Sequence, residues 1–193
     1  MIALPLLLGM ELIMNDNFVS LLTTPIGQLG VFANSHNIYR VEFIDKIKEP
    51  ALITLRENLI NPLTELGKQQ LEQYFSGQRQ RFELPLAPQG TPFRQQAWQV
   101  LQQIPFGETR YYAQQAELMN NKKAVRAVGA ANGANPIAIV IPCHRVIGKN
   151  GSLTGYAGGL DRKKWLLDFE QKLACGIPIP IKPPQDASLM YIT

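Results

Sequence analysis

The sequence predicts an α+β protein with two domains: an N-terminal antiparallel sheet with helices, and a C-terminal helical domain that contains a helix-turn-helix. Two observations lead to this class. Short strand-like stretches separated by turn residues lie between residues 18 and 44, whereas apolar residues at helical spacing dominate after residue 91. The stretch APQGTP lies between the two regions, and such clusters of proline and glycine commonly join domains.

These features divide the chain into four predicted parts. Residues 1–14 form an N-terminal extension, residues 15–87 the first domain, residues 88–175 the second domain, and residues 176–193 a proline-rich tail. The extension has no Lys or Arg before its short apolar run and contains Pro5, which makes it a poor signal peptide. Apolar stretches are all far shorter than the roughly 18 residues of a membrane-spanning helix. We therefore expect a soluble, cytoplasmic protein without membrane contact.

The first domain is predicted to begin with three strands and a helix. The stretches FVSLL, LGVFA and IYRVEF read as strands, with turns at PIGQ and NSHN. A helix is expected over about 62–75, because Asn61 can cap it, Pro62 suits its first position and Gly77 stops it. The segment RFELPL is a candidate for a further strand.

Helices are predicted through most of the second domain. Thr91 caps and Pro92 begins a helix that PFGE closes. Two shorter helices, over about 110–119 and 122–132, are separated by MNNK and form the helix-turn-helix. The stretch NPIAIVIP reads as a short buried strand that leads to Cys143. A glycine-rich loop, GKNGSLTGYAGG, then enters the final helix, DRKKWLLDFEQK.

Composition narrows the class of protein before any motif is considered. The chain has 193 residues, is 46% apolar, and carries a net charge of +4, which suits a globular core and favours a polyanionic partner. Its two cysteines, Cys143 and Cys175, are expected to be reduced thiols in an intracellular protein. The glycine loop lacks nucleotide-binding spacings, and the two cysteines and two histidines fail zinc spacings. We expect neither cofactor nor metal.

Cys143 is the first candidate for chemistry, because it lies between Pro142 and His144. A thiol with a pKa of about 8.5 needs a positive or hydrogen-bonding neighbour to become a nucleophile. In the final helix Glu170 falls one turn after Leu166, so its carboxylate leans toward an apolar face and could orient His144. The alternatives are a small core cysteine with a satisfied histidine, and a carboxylate paired with a lysine or water.

The second short helix is the candidate for nucleic-acid contact. Lys122, Arg126, Gly129 and Ala130 are expected to share one basic, nearly flat face. Small side chains would let the helix backbone approach a nucleic acid closely, and a long arginine could reach into a duplex. The alternative is a solvated arginine on an ordinary helical hairpin.

The run from Arg126 to Glu170, RAVGAANGANPIAIVIPCHRVIGKNGSLTGYAGGLDRKKWLLDFE, resembles the O6-alkylguanine-DNA alkyltransferases, and most of all their bacterial constitutive type. The stretch TPIGQLGVF is similar to the start of that family's N-terminal domain. The resemblance implies DNA repair by direct reversal. Cys143 would take the alkyl group from O6-alkylguanine in duplex DNA, once and irreversibly, after base flipping, with O4-alkylthymine as an open second substrate.

The resemblance also implies roles for individual residues. His144, acting through a water and oriented by Glu170, would remove the thiol proton, and Asn135 would order the turn that carries the cysteine. Tyr112 would crowd the phosphate of the flipped nucleotide and donate a proton to the leaving guanine. Arg126 would enter the base stack, with Lys122, Gly129 and Ala130 beside it on the DNA-binding helix. The implied substrate pocket consists of Tyr156, Ala157, Gly158 and Val146.

Several positions depart from the family's usual pattern. The turn MNNKK stands where Gly and Pro are usual, Tyr111 replaces a serine, and Ala157 replaces the serine of some members. The N-terminal domain has His36 and no cysteine, so the zinc site of some members is not expected. Alkylated double-stranded DNA is the expected partner of a monomer. The rival functions are a lesion-binding protein without transfer, a helix-turn-helix regulator, and a thiol hydrolase.

Overall fold

The computed structural model describes residues 18–47 and 59–177. Three antiparallel strands form the N-terminal sheet in the order β1 (Phe18–Thr24), β2 (Gly27–Ala33) and β3 (Ile38–Phe43). This sheet and the helical second domain confirm the predicted α+β class. The predicted N-terminal extension and nearly all of the proline-rich tail lie outside the described residues.

Local side-chain chemistry explains the elements of the first domain. Thr24 closes the β1–β2 turn, where its hydroxyl accepts from the amide of Ile26 at 3.2 Å, and Gly27 adopts a φ of 116°. Helix α1 (Pro62–Phe75) begins at the predicted residue. Its capping box joins Asn61 and Thr64, and the helix packs on β1 and β2.

The segment RFELPL, a candidate for a further strand, does not form one. Only Leu86 forms a bridge, to Ile38, and the flanking hydrogen bonds run from Ile38 N to Pro85 O and from Ala87 N to Ile38 O. Pro85 and Pro88 have no N–H to donate, so that a continuous ladder cannot form here. The segment instead runs from α1 toward the second domain without helix or strand, apart from this bridge.

The second domain is built around helices, as predicted, with two short parallel strands added. The described elements are α2 (Pro92–Leu101), β4 (Arg110–Tyr111), α3 (Tyr112–Leu118), α4 (Val125–Gly133), a 3-10 helix (Cys143–Arg145), β5 (Val146–Ile147) and α5 (Leu160–Ala174). The helix-turn-helix consists of α3 and α4. Both helices begin later than predicted, since β4 pairs with β5 and the turn between the helices extends to Ala124.

The stretch NPIAIVIP is buried as predicted, but it is not a strand. Ile137, Ile139 and Ile141 are fully buried, yet Ile139 has a φ of 70° and the amide of Ile141 bonds to the carbonyl of Ile137. A single bridge joins Ile137 to Val41. The chain therefore coils through the core in successive turns before it reaches Cys143.

One hydrophobic core joins the two domains. Residues of the sheet and α1, such as Val31 and Leu71, belong to the same buried cluster as Trp98, Ile137 and Phe169 of the second domain. The 3-10 helix that begins with Cys143 lies against this cluster. The segment around Cys143 is consequently positioned by both domains. Within the described residues, no helix is long and apolar enough to cross a membrane.

Candidate active site

Cys143 lies at the start of the 3-10 helix and is buried, with 3% of its surface exposed. Asn135 Nδ2 donates a hydrogen bond to its Sγ at 3.2 Å. Burial raises the pKa of the Cys143 thiol, and the hydrogen bond from Asn135 and the charge of Lys163 oppose that rise only in part. The resting thiol is therefore protonated at neutral pH and needs a base to react.

The histidine that follows Cys143 in the chain pairs with a carboxylate. His144 Nε2 lies 3.0 Å from Glu170 Oε1, and both side chains are fully buried. With the proton on Nε2, the opposite nitrogen, Nδ1, is the basic one. This Nδ1 is buried and bonds to no group in the described part of the chain. Burial lowers the pKa of His144, against the pull of Glu170, so the imidazole is neutral at neutral pH.

Glu170 is held by more donors than the sequence indicated. Arg145 donates from Nε to Oε2 at 2.8 Å and from Nη2 to Oε1 at 2.9 Å, and Gly107 N reaches Oε2 at 3.1 Å. Tyr74 donates its hydroxyl to Oε1 at 2.8 Å. Burial alone would raise the pKa of Glu170, but His144 and Arg145 hold it well below its usual range. The carboxylate is therefore charged at neutral pH.

Asn135 connects the cysteine to the coiled segment before it. Its Nδ2 donates to Ile141 O at 2.8 Å as well as to the sulfur, and its Oδ1 accepts from Ile137 N at 3.1 Å. One side chain thus replaces the strand partners that this segment lacks. The structure brings Asn135, Cys143, His144 and Glu170 together, as the resemblance implied, and their catalytic roles stay predictions.

The glycine-rich loop lies over this group. Tyr156 is buried and its ring centroid is 6.4 Å from that of His144. Ala157 and Gly158 line a cavity together with Asn135 and Ala138. A Cβ at Gly158 would lie 2.6 Å from the Tyr156 ring, so only glycine fits there. Of the four predicted pocket residues, Tyr156 and Val146 do not line this cavity, and both side chains are buried.

Lys163 is a site residue that the sequence analysis did not identify. Its ammonium donates to Val146 O at 2.6 Å and to Thr154 O at 2.7 Å, and so joins β5 to the glycine loop. Burial lowers the pKa of Lys163 to about 8, against the attraction of Cys143. The contacts bridge 17 and 9 residues of chain, and helical periodicity alone does not reveal them.

The helix-turn-helix meets the same loop through Tyr112. The Tyr112 hydroxyl donates to Thr154 O at 3.0 Å, and a Cβ built at Gly129 would be 3.8 Å from its ring. Arg126 and Ala130 are exposed on α4, as expected for a contact face. Lys122 was predicted on this helix, but it lies in the preceding turn and pairs with Glu117 at 2.6 Å.

Metal-binding residues do not cluster in the part of the chain that the structure describes, where no group of three or more His, Cys, Asp or Glu side chains could hold an ion. His36 is exposed in the turn between β2 and β3. The fold and the site thus define an α+β protein that places one buried thiol beside a histidine–carboxylate pair and a helix-turn-helix.

Comparison with known families agrees with this class over most of the chain. Residues 17–88 match the family model of the 6-O-methylguanine DNA methyltransferase, ribonuclease-like domain, and residues 92–172 match that of the 6-O-methylguanine DNA methyltransferase, DNA binding domain. The chain therefore belongs to the 6-O-methylguanine DNA methyltransferase family, which confirms the resemblance found in the sequence.

The match to individual relatives spans nearly the whole length of each relative. A methylated-DNA–protein-cysteine methyltransferase of Methanosarcina acetivorans is 43% identical over 156 residues, which are 79% of this chain and 97% of the relative. The constitutive enzyme of that name from Bacillus subtilis is 43% identical over 158 residues, or 80% and 96%.

Solved structures of Mycobacterium tuberculosis proteins have the same fold. The O6-methylguanine methyltransferase matches with a TM-score of 0.73 at 36% identity, over 86% of this chain and 96% of that one. The OGT in complex with DNA matches with a TM-score of 0.71 at 38% identity, over 81% and 94%.

Proposed function

We propose that this protein repairs DNA by direct reversal, as a methylated-DNA–protein-cysteine methyltransferase that acts once. Cys143 accepts the alkyl group of O6-alkylguanine, with O4-alkylthymine as a second candidate substrate. The observation that carries the proposal is the buried Cys143 thiol, bonded by Asn135 and followed by the His144–Glu170 pair. Membership of a family whose members are named for this transfer supports it.

The chemistry is a single displacement at the alkyl carbon. The Cys143 sulfur forms a bond to that carbon while the bond from the carbon to the guanine O6 breaks. His144 Nδ1 takes the thiol proton through a water, since its other nitrogen faces Glu170. Tyr112 supplies a proton to the departing guanine. In the product thioether the cysteine sulfur is a poor leaving group, so the alkyl group is not transferred back. The transfer is therefore irreversible, and each molecule acts once.

Burial of the thiol requires that the base leave the duplex. The O6 position lies within the base stack, and only 3% of Cys143 is exposed; the nucleotide must therefore be rotated into the site. Arg126 is exposed on α4 and would occupy the vacated position, while Gly129 and Ala130 let the helix lie close to the backbone. Lys122 would leave its ion pair with Glu117 and contact a phosphate instead.

The remaining parts of the proposal concern the state of the protein. We place it in the cytoplasm as a monomer, in two domains that meet near residue 88, and with no cofactor or metal in the reaction. The link between the domains contains neither helix nor strand, which suits a boundary there.

A stoichiometry experiment tests the proposed function. Increasing amounts of duplex DNA with one tritiated O6-methylguanine are added to a fixed amount of protein, and protein-bound label is counted. We expect a plateau at one methyl group per molecule. Cys143→Ala should abolish labelling and still bind the lesion, whereas Cys175→Ala, which removes the exposed thiol, should match the wild type. Binding without labelling of the wild type would favour a lesion-binding protein.

A further inference from the structure

The N-terminal domain contributes a hydrogen bond to the active site. Tyr74 belongs to α1, 96 residues before Glu170 in the chain, and its hydroxyl donates to Glu170 Oε1 at 2.8 Å. Both side chains are fully buried. Burial, followed by the charge of Glu170, raises the pKa of Tyr74 well above its usual value. The hydroxyl is consequently a permanent donor, not a group that titrates during the reaction.

The direction of this hydroxyl is fixed by aromatic packing. The Tyr74 ring contacts the rings of Phe75, Phe82, Phe106 and Phe169, with centroids 5.2 to 6.0 Å apart. Phe106 and Phe169 belong to the second domain, and Phe75 and Phe82 to the first. The ring is thus held between the two domains, with its hydroxyl directed at the carboxylate.

The oxygen that Tyr74 contacts is the one that faces the histidine. Oε1 of Glu170 accepts from Tyr74, from His144 Nε2 and from Arg145 Nη2. A donor on a carboxylate oxygen reduces the negative potential that the same oxygen offers to its other partners. The hydroxyl of Tyr74 therefore weakens the attraction of Glu170 for a proton on His144.

Several other charged or titratable groups surround His144. Glu170 and Lys163 face it from α5, Arg145 adjoins it in the 3-10 helix, and Tyr156 lies against it from the glycine loop. Cys143 is its neighbour in the chain. Burial and the two cations lower the pKa of His144, and Glu170 raises it. Among these groups, Glu170 is the one that favours the charged imidazole. Tyr74 bonds to the carboxylate of Glu170 and so weakens this attraction.

We propose that Tyr74 is a positioning residue for alkyl transfer, which orients Glu170 from the N-terminal domain and keeps His144 in the uncharged form that can accept the thiol proton. This inference rests on the proposed function, since His144 acts there as the base. It assigns a task in the reaction to the N-terminal domain, in addition to its share of the core.

The pH dependence of transfer tests this role. Tyr74→Phe keeps the ring and removes only the donor, so that Glu170 attracts the imidazolium more strongly and the pKa of His144 rises. The acidic limb of the transfer rate should move to higher pH, by about half a unit. On that limb the variant should react roughly two- to threefold more slowly than the wild type, with equal rates above it. Replacement of Tyr74 by 3-fluorotyrosine, a more acidic donor of nearly the same shape, should move the limb to lower pH.

Phe75→Leu is the matched control for packing. Phe75 contacts the Tyr74 ring at 5.2 Å and has no polar group, so its replacement should lower the melting temperature and leave the acidic limb in place. An unchanged limb in Tyr74→Phe would overturn the inference. An equal shift in Phe75→Leu would also overturn it, because packing alone would then explain the change.

Nuclear magnetic resonance separates this inference from the proposed function. The chain has two histidines, and His36 is exposed in the turn between β2 and β3, so it serves as an internal reference. Tyr74→Phe should raise the midpoint of the His144 imidazole titration. This measurement needs no transfer activity. If the wild type transferred nothing, the proposed function would fail, while the titration would still decide the role of Tyr74.

Discussion

Glu170 is the shared hydrogen-bond acceptor of the polar groups buried at the site. It accepts hydrogen bonds from Tyr74, Gly107, His144 and Arg145, and these partners come from α1, from the loop after α2 and from the 3-10 helix. A carboxylate in this position is oriented from three sides. Because Arg145 is itself buried and bonded to it, loss of the carboxylate charge would leave a cation without compensation.

Acid should therefore destabilise the protein through Glu170. Its folded pKa lies below the unfolded value of about 4.3. The ionised carboxylate consequently stabilises the fold above that value, and this contribution is lost as pH falls toward the folded pKa. Glu170→Gln should lower the free energy of unfolding by about 3 to 5 kcal/mol at pH 7 and flatten its dependence on pH below 5. Urea unfolding at pH 7 and pH 4 measures both effects.

Glu117→Gln is the control, since Glu117 is an exposed carboxylate that pairs with Lys122 at the surface. It should unfold as the wild type does at both pH values. If Glu170→Gln remained as acid-sensitive as the wild type, another group would cause the effect.

Helix α5 connects the glycine loop to the first domain through its first turn. Arg162 donates to Ile26 O at 2.7 Å and to Gly158 O at 3.1 Å, pairs with Asp45 at 3.1 Å, and lies 4.0 Å above the Phe43 ring. A single side chain thus holds the β1–β2 turn against the loop that lines the cavity.

Arg162→Ala should weaken this connection. Hydrogen bonds from a charged donor contribute about 1.5 to 3 kcal/mol, and we expect a loss in that range in urea unfolding, together with slower transfer from duplex DNA. Lys164→Ala on the same helix removes only a surface pair with Asp168 and should cause no measurable change. Equal stabilities of the two variants would show that Arg162 does not connect the domains.

Helix α4 should matter for duplex DNA more than for the chemistry. Arg126 is exposed on α4, so Arg126→Ala should slow transfer from a duplex by at least about tenfold, as expected for a group that stabilises the flipped state. Reaction with free O6-methylguanine base needs no flipping and should keep its rate. Single-turnover rates on both substrates provide the comparison, and equal slowing would remove the role of Arg126.

One large hydrophobic cluster joins the two domains of the molecule. The sheet and α1 share a buried cluster with α2, the coiled segment and α5. Tyr74 and Arg162 cross the same interface as polar contacts. The position of the Cys143 thiol therefore depends on both domains, although its hydrogen-bond partner, Asn135, belongs to the second domain.

The features that could be predicted are those that depend on residues close together in the sequence. The capping of α1 by Asn61 and the strands β1 to β3 follow from local patterns and were predicted correctly. The coiled segment before Cys143 was predicted as a strand, because its alternating isoleucines resemble one, while Asn135 provides the hydrogen bonds that a sheet would have supplied. The spacing of apolar residues does not reveal a side chain that forms hydrogen bonds to backbone groups in place of a neighbouring strand.

The buried partners of the site could not be predicted for a different reason. Tyr74 reaches Glu170 across 96 residues and Arg145 reaches it across 25, and a single sequence contains no signal for such distances. Arg145 had one indication, since an arginine directly follows Cys143 and His144 in a segment with a buried, apolar pattern. Such a cation needs a buried anion, and Glu170 was already a candidate.

Peptide mass spectrometry tests the central claim most directly. The wild-type protein is incubated with a duplex that contains one O6-methylguanine, then digested and compared with an untreated sample. The account predicts a gain of one methylene unit on the peptide with Cys143, at one per molecule, and an unmodified Cys175 peptide. An unmodified Cys143 peptide in folded protein that has bound the DNA would contradict the account.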